Sequence, residues 1–495
     1  ALRDLLFAQG VEFPCGGQGR CRGCRVHVLE GHVGVNQAQR ERLSVEEIAQ
    51  GWRLACQCAL EDDLVIELRQ WDAAILVDDT PFAFEGRPGL GVAVDVGTTT
   101  LATQLLDLQT GRVLAVRTAL NSQARFGADV MSRVQFAVPK DGARELRDLI
   151  RQQIGGLIGQ LLFAAQIPDA EITDIVLVGN TVMHHLFSGL DVEPLSRYPF
   201  EPDQLGPQVF HAEDLGWKLS SQARVRFLPC LGGFVGSDIL AGILATNLSQ
   251  RDELNGLVDL GTNGEIVIGD RRRLLCASTA AGPAFEGARI SMGMRAATGA
   301  ISEVKVEDHT VNCRVLGNVP PQGLCGSGLV DAVAAGLELG RIQTSGRFTG
   351  GVSAWELAAP VVLTQGDVRE LQLAKGAIAA GIRMLLDRFG ASAGDLKKLY
   401  LAGAFGNYIN RASAQRIGLL SFPAEKVEAA GNTALLGAKL ALFSPEGDDG
   451  SFTRLRQQTE HVALNADQSF QEIFVEEMAF PDVEAGDSGV GAGEK

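Results

Sequence analysis

The chain of 495 residues carries 60 Asp plus Glu against 44 Lys plus Arg, a formal charge of −16. Its overall field therefore repels phosphate backbones and anionic membrane surfaces, which excludes nucleic acid as a partner. At 46% hydrophobic residues it can bury several domain cores, yet no run approaches the roughly 18 apolar residues of a spanning helix, and no secretory leader pattern opens it. The cytoplasm is the expected compartment, with no membrane partner.

In chain order, Arg25-Val26-His27-Val28-Leu29 and Leu64-Val65-Ile66-Glu67-Leu68 alternate in apolar character and predict strands, so residues 1–68 form a small α+β domain. Turn formers without periodicity, Asp78-Asp79-Thr80-Pro81 and Glu85-Gly86-Arg87-Pro88-Gly89, make residues 69–90 a linker. Val92-Ala93-Val94, Leu101 to Leu108 and Val113 to Ala119 then predict a three-stranded meander. An amphipathic helix over Lys140 to Gln166 follows, and a buried strand, Ile175-Val176-Leu177-Val178, enters Gly179-Asn180-Thr181 and another helix. A second meander over Gly256 to Gly269, with a strand near Arg273 to Ala277, echoes the first. Two α/β lobes of similar topology are predicted, 91–246 and 247–481. Thr364 with Asp367 begins a helix running to Phe389, and Leu399-Tyr400-Leu401 is again strand. The acidic, Gly-rich stretch 482–495 predicts disorder.

Five of the nine cysteines, Cys15, Cys21, Cys24, Cys56 and Cys58, crowd into the first domain. Cys15, Cys21 and Cys24 make C-x5-C-x2-C in a glycine-rich run, and Cys56 follows in Arg53-Leu54-Ala55-Cys56-Gln57. Four thiolates are the ligand set of a [2Fe-2S] cluster, and glycines let a loop wrap closely and aim backbone N–H groups at the sulfurs. The competing zinc site, Cys21-x2-Cys24 with Cys56-x-Cys58, leaves Cys15 idle and needs an unusual one-residue gap. Cys58 in place of Cys56 as fourth ligand is a further alternative, and disulfides are disfavoured without a secretion signal. The segment resembles adrenodoxin-like [2Fe-2S] ferredoxins, whose first gap is also five and whose fourth ligand has a similar Leu-x-Cys-Gln setting, which implies a β-grasp fold. Such domains begin with a hairpin ahead of the helix that here corresponds to Ala1 to Gln9. With neither that hairpin nor an initiating Met, the sequence reads as truncated or processed.

Asp95-Val96-Gly97-Thr98-Thr99-Thr100 places glycine and hydroxyl donors at a hairpin turn, where they suit phosphate, and Asp95 suits a Mg²⁺-bound water. Asp259-Leu260-Gly261-Thr262-Asn263-Gly264-Glu265 repeats the arrangement, and Gly403-Ala404-Phe405-Gly406-Asn407 follows a strand as an adenosine-contacting loop does. Any one of these turns is compatible with a plain hairpin. The three in this order resemble the actin, sugar kinase and Hsp70 superfamily, whose two-lobed, ribonuclease H-like fold closes over ATP. On that resemblance Asp95 and Asp259 organise Mg²⁺ and the attacking water, residues of all three loops cradle the nucleotide, and Glu265 and Glu286 are candidates to orient the water. A solvated or helix-capping carboxylate is the commoner fate of such glutamates.

An N-terminal [2Fe-2S] domain joined to this ATPase resembles the ATP-dependent reductive activators of corrinoid proteins. Val178-Gly179-Asn180-Thr181-Val182-Met183-His184-His185, Thr279 to Gly287, Gly323 to Leu329 and Phe474 to Pro481 agree. The resemblance implies one-electron reduction of inactive cob(II) to cob(I), the form that accepts methyl groups, with a corrinoid protein or methyltransferase as partner and a low-potential donor upstream. Plant-type clusters lie near about −400 mV, and each further 59 mV or so of deficit costs tenfold for one electron. ATP therefore has to favour a complex in which the acceptor level is shifted. Such activators often carry a further domain before the ATPase, tied in the family to self-association. Here the linker runs almost directly into Asp95, and a homodimer is one expected state.

Three rival readings follow from the same residues: a small-molecule kinase with a redox-sensing ferredoxin domain, a non-catalytic electron carrier that only reports ATP, and the activators of 2-hydroxyacyl-CoA dehydratases or benzoyl-CoA reductases. The last bind [4Fe-4S] between subunits, whereas this chain supplies four cysteines of its own. His184 and His185, adjacent on a helix, cannot share one face for a metal but can meet a partner. Cys230, Cys276, Cys313 and Cys325 read as structural thiols.

Overall fold

A computed structural model describes residues 24–59, 63–67, 84–167, 172–219, 223–406, 408–444 and 450–482. Cys15, Cys21, the helix expected over Ala1 to Gln9, most of the linker, Asn407 and all but the first residue of the expected tail lie outside these. In the first domain the strands Trp52–Leu54, Arg25–Glu30 and Val65–Glu67 pair antiparallel in that order. Val26, Val33, Leu43, Leu54 and Ala55 close its small core beneath two short helices, the second opened by a Ser44/Glu47 capping box.

Both meanders form, and each grows into the same sheet. In the first, Val113–Leu120, Thr100–Asp107 and Leu90–Val96 pair antiparallel, and Ile172–Val178 and Arg224–Phe227 continue parallel to Leu90–Val96, with Gln208–His211 on the edge. In the second, Leu274–Thr279, Gly264–Gly269 and Asn255–Leu260 form the meander, and Lys398–Ala402 and Val427–Gly431 extend it in parallel. In both, the meander runs third, second, first and the fourth strand joins the first in parallel; the edges then differ, with Thr459–His461 lying beside Leu274–Thr279 in the second sheet. The central strands are buried on both faces and read as unbroken apolar runs, Val92 to Val94 and Leu257 to Val258, until an aspartate interrupts each near its carboxyl end. In open α/β sheets that end is where ligands sit.

Long helices cover the outer faces. Lys140–Ala164 packs on the first sheet, and Gln365–Phe389 starts at the expected Thr364/Asp367 capping box and packs on the second. Between the sheets lie Ser237–Ala245 and Thr433–Leu442, which share an apolar layer with Ala93, Val176, Leu257 and Cys276. They cross closely, since a Cβ at Gly437 would clash with the Ala241 carbonyl.

Residues 84–89, expected as linker, run against the first sheet instead. The Phe84 ring packs on Phe443 at 4.6 Å, Arg87 N donates to the Leu108 carbonyl at 3.0 Å, and the Arg87 guanidinium donates to buried Asp174 at 2.9 Å. These long-range contacts leave no local periodicity to read. Asp174 also accepts from Arg226 at 3.0 Å. Truncation in Asp174→Ala strips that counter-charge from buried Arg226, and a loss of about 3 kcal/mol is expected in equilibrium urea unfolding.

Candidate functional site

Strand register brings two cysteines together. Arg25 pairs with Leu54 across the antiparallel ladder, so Cys24 and Cys56 flank the same end of it, and Ala55 N donates to the Cys24 carbonyl at 2.9 Å. Cys56 lies in the half-exposed turn Ala55–Gln57, where Gln57 Nε2 approaches its sulfur at 3.5 Å, the kind of donor that stabilises a cluster thiolate. Cys58 is buried in the core of the domain. Its Sγ donates to the Leu54 carbonyl at 3.1 Å, and burial pushes the thiol up to about 12. Cys56 thus stands in the partly exposed turn, while Cys58 packs into the small core with Cys24.

At the other site, Asp95 and Asp259 stand near the carboxyl ends of the two central strands. Asn432 Nδ2 donates to Asp95 Oδ2 at 2.9 Å. Gly403, at φ +82, lets its backbone lie against Asp259, where a Cβ would fall 2.6 Å from Oδ1. Asp238 joins them from the first turn of Ser237–Ala245. Burial lifts Asp95 to about 6. It lifts Asp259 to about 7, with the Asp95 charge adding, and Asp238 to about 8, with Asp259 and then Asp95 adding. Glu265 pairs directly opposite Asp259 in the hairpin, is 8% exposed, and is held well above the carboxylate range by burial and by Asp238 and Asp259. Such like charges ionise together only with a cation nearby. Among the described residues no three His, Cys, Asp or Glu side chains converge to ligate one ion directly. The acidic set fits a divalent cation held through its water shell.

The first Asp-x-Gly-Thr loop is pinned from behind. The Thr98 carbonyl accepts from Arg133 and its Oγ1 from Asn180 Nδ2 at 2.8 Å, while Asn121 Nδ2 donates to the Gly97 carbonyl at 2.9 Å and Asn121 N to the Thr99 carbonyl at 2.8 Å. A Cβ at Gly97 would clash with the Thr100 carbonyl. Arg133 is wholly buried, which lowers it to about 9. In the second loop Gly261 N donates to the Asn263 carbonyl at 3.0 Å, whereas Gly264 packs on Thr279 and Ile378 and serves sheet–helix contact. Glu286 accepts from Thr262 Oγ1 at 2.6 Å and from Thr99 Oγ1 at 3.3 Å, bridging the two loops. In the third loop Gly403–Gly406, which includes Ala404, is one helical turn. Phe405 stacks on Phe285 at 4.8 Å, and Gly406 backs onto Leu401.

Comparison with known proteins accords with this two-site architecture. A model described as the 2Fe-2S iron-sulfur cluster binding domain matches residues 1–61, the RACo middle region matches 90–251, and the C-terminal domain of RACo, the ASKHA domain, matches 253–488. The corrinoid activation enzyme RamQ of Eubacterium limosum is 35% identical over 435 residues, 82% of this chain and 73% of the relative. The chain belongs to the family of reductive activators of corrinoid proteins. The [Co(II) methylated amine-specific corrinoid protein] reductase of Methanosarcina barkeri is 28% identical over 423 residues, 79% of this activator and 77% of that reductase. A solved reductive activator for corrinoid, iron-sulfur protein superposes with a TM-score of 0.71 at 29% identity, over 97% of this chain and 95% of that one.

Three side chains of the activator's cleft escaped the reading of its sequence. Asn432 had a visible signal, because Gly431-Asn432-Thr433 repeats Gly179-Asn180-Thr181, and both asparagines cap the helix that follows. Asp238 and Arg133 had none, since the fold alone brings them to the loops. The expectation that His184 and His185 can meet a partner is corrected: they are 0% and 1% exposed, with His184 edge-on to Phe227 and lowered by burial to about 3. The apolar face of Thr181–Ser188 carries them inward. Cys230, Cys276 and Cys325 are buried and Cys313 half-buried, as structural thiols should be.

Two outcomes are expected. Cys56→Ser purifies anaerobically with most of its iron and sulfide lost, whereas Cys58→Ser retains both. For Asp259 the folded value is raised from its ordinary 3.8 to about 7, so its stabilising contribution is complete below 3.8 and lost as pH rises through 7. Without Mg²⁺ and nucleotide, Asp259→Asn should therefore be about 1–2 kcal/mol more stable than the parent at pH 8 and no more stable at pH 4, by thermal or urea unfolding.

Proposed function

We propose that this chain spends ATP to transfer one electron from its [2Fe-2S] cluster to the inactive cob(II) centre of a corrinoid protein, regenerating the cob(I) state that accepts methyl groups. The observation that carries the reading is the presence, in one chain, of Cys24 and Cys56 at the same end of one strand ladder and of a cleft whose carboxylates lie beneath two hydroxyl-bearing loops. Cys15, Cys21, Cys24 and Cys56 hold the cluster, which when bound supplies a single low-potential electron. Residues 1–68 form the electron-transfer domain, and 91–246 and 247–481 form the two lobes of the ATPase.

Asp95 and Asp259 position Mg²⁺ through its water shell and Asp238 extends that acidic floor. The backbone and hydroxyls of Gly97 to Thr100 and Gly261 to Asn263 contact phosphate, while Gly403 to Asn407 line the adenosine side. Glu265, whose proton affinity is raised by burial and by Asp238 and Asp259, becomes an acceptor for the attacking water once a cation lowers that affinity. Because one electron leaves per event, a low-potential donor must re-reduce the cluster. ATP acts by changing which partner complex is stable, so nucleotide occupancy and corrinoid-protein affinity are reciprocally coupled. Among the described residues no helix is long and apolar enough to cross a membrane.

The test is EPR and nucleotide turnover on anaerobically purified protein. A rhombic S = 1/2 signal after reduction is expected, together with ATP hydrolysis that rises when a cob(II) corrinoid protein is added. Asp259→Ala should keep the signal and lose at least 100-fold in hydrolysis, about 2.7 kcal/mol of barrier. Phosphorylation of a sugar or organic acid at a rate above ATP hydrolysis would replace this reading with a kinase.

A further inference from the structure

Glu286 is placed to do something other than orient water. It ends the turn Pro283–Glu286, set between Gly282 and Gly287, which take φ of +79 and +77. The turn is stitched to the second loop, because Gly282 N donates to the Thr262 carbonyl at 2.9 Å, and a Cβ at Gly287 would clash with the Met294 carbonyl. From this anchored position one carboxylate oxygen takes the Thr262 hydroxyl at 2.6 Å, and the other reaches the Thr99 hydroxyl at 3.3 Å. Thr99 and Thr262 belong to hairpins of different sheets, so a single side chain ties the two lobes across the mouth of the cleft. Behind it the Arg133 cation, itself fixed on the Thr98 carbonyl, supplies the compensating field.

A hydroxyl has one proton to give. While Thr99 and Thr262 donate to Glu286 they cannot donate to a phosphate oxygen, and a phosphate brought between them faces a carboxylate of like charge. The two arrangements exclude each other. We propose that Glu286 is an interlobe clasp: it closes the nucleotide-free cleft by holding both threonines, and it releases them when the terminal phosphates of the nucleotide arrive. This rests on the nucleotide reading of the cleft and adds to it a resting state that only a phosphate-bearing ligand opens. Glu286 is a positioning residue here, acting through Thr99 and Thr262.

The experiment is hydrogen exchange read by mass spectrometry on anaerobic, cluster-loaded protein, with and without Mg²⁺ and the non-hydrolysable analogue AMP-PNP, paired with calorimetric binding of the same analogue. Without nucleotide, Glu286→Ala should raise amide exchange about tenfold in both loops, 97–100 and 261–264, and Glu286→Gln, which keeps one acceptor oxygen, should fall between. Thr262→Val, which keeps Glu286 and removes only the shorter of the two bonds, should reproduce part of the rise. With the analogue bound, parent and the two Glu286 variants should coincide, and Glu286→Ala should bind it as tightly as the parent or up to about tenfold more tightly.

Unchanged nucleotide-free exchange in all three variants, with turnover falling in Glu286→Ala, would overturn the clasp and return Glu286 to the attacking water. Tenfold weaker analogue binding in Glu286→Ala would also overturn it. If the parent itself binds no analogue, the nucleotide reading falls and the release step with it, whereas closure is still decided by the nucleotide-free exchange.

Discussion

Three half-buried aspartates and a buried glutamate that repel one another are gathered into one cleft, and much of the architecture serves to hold them there. Asp95 and Asp259 end apolar strands that have no freedom to retreat, Asp238 is fixed in the first turn of a buried helix, and Glu265 faces Asp259 in hairpin register. Their proton affinities rise because burial and mutual charge leave no cheaper response. The carboxylates of the cleft are thus poised against one another. On the function proposed above, a hydrated cation with its phosphates would relieve this repulsion and couple the relief to nucleotide binding.

The surrounding pieces turn that local relief into movement. Ser237–Ala245 and Thr433–Leu442 cross closely beneath both sheets, one carrying Asp238 and the other capped by Asn432, which donates to Asp95. Asp238 and Asp95 are therefore each attached to an element that both lobes share. Above them Glu286 and the two threonines link the loops, so occupancy of the cleft is felt at its floor and at its mouth. For an activator that must push an electron uphill this is the needed property: the nucleotide has to alter the relative stability of partner complexes, since it does not itself carry the electron.

Much of this was legible in the chain. The doubled Asp-x-Gly-Thr pattern marked the paired hairpins, the Thr364/Asp367 box located a long helix to the residue, and cysteine spacing with its glycines selected a cluster over a zinc site. These are local signals, in which a turn, a cap or a ligand loop is written in neighbouring residues. What stayed hidden depends on distant contact. Arg133 and Asp238 look like ordinary helix residues until the sheets form, residues 84–89 look like linker until Phe84 meets Phe443, and the two adjacent histidines look polar until their helix buries them. Gly264 illustrates the converse, a glycine in a phosphate motif whose missing side chain makes room for Ile378.

The most direct test of the central claim is the visible spectrum of a cob(II) corrinoid protein mixed anaerobically with the reduced protein, followed with and without Mg-ATP. The account predicts that the cob(II) band decays to cob(I) only when Mg-ATP is present, and that Asp259→Ala abolishes the decay while its cluster stays reduced. Decay at the same rate without nucleotide, or none with it from a fully reduced cluster, would contradict it.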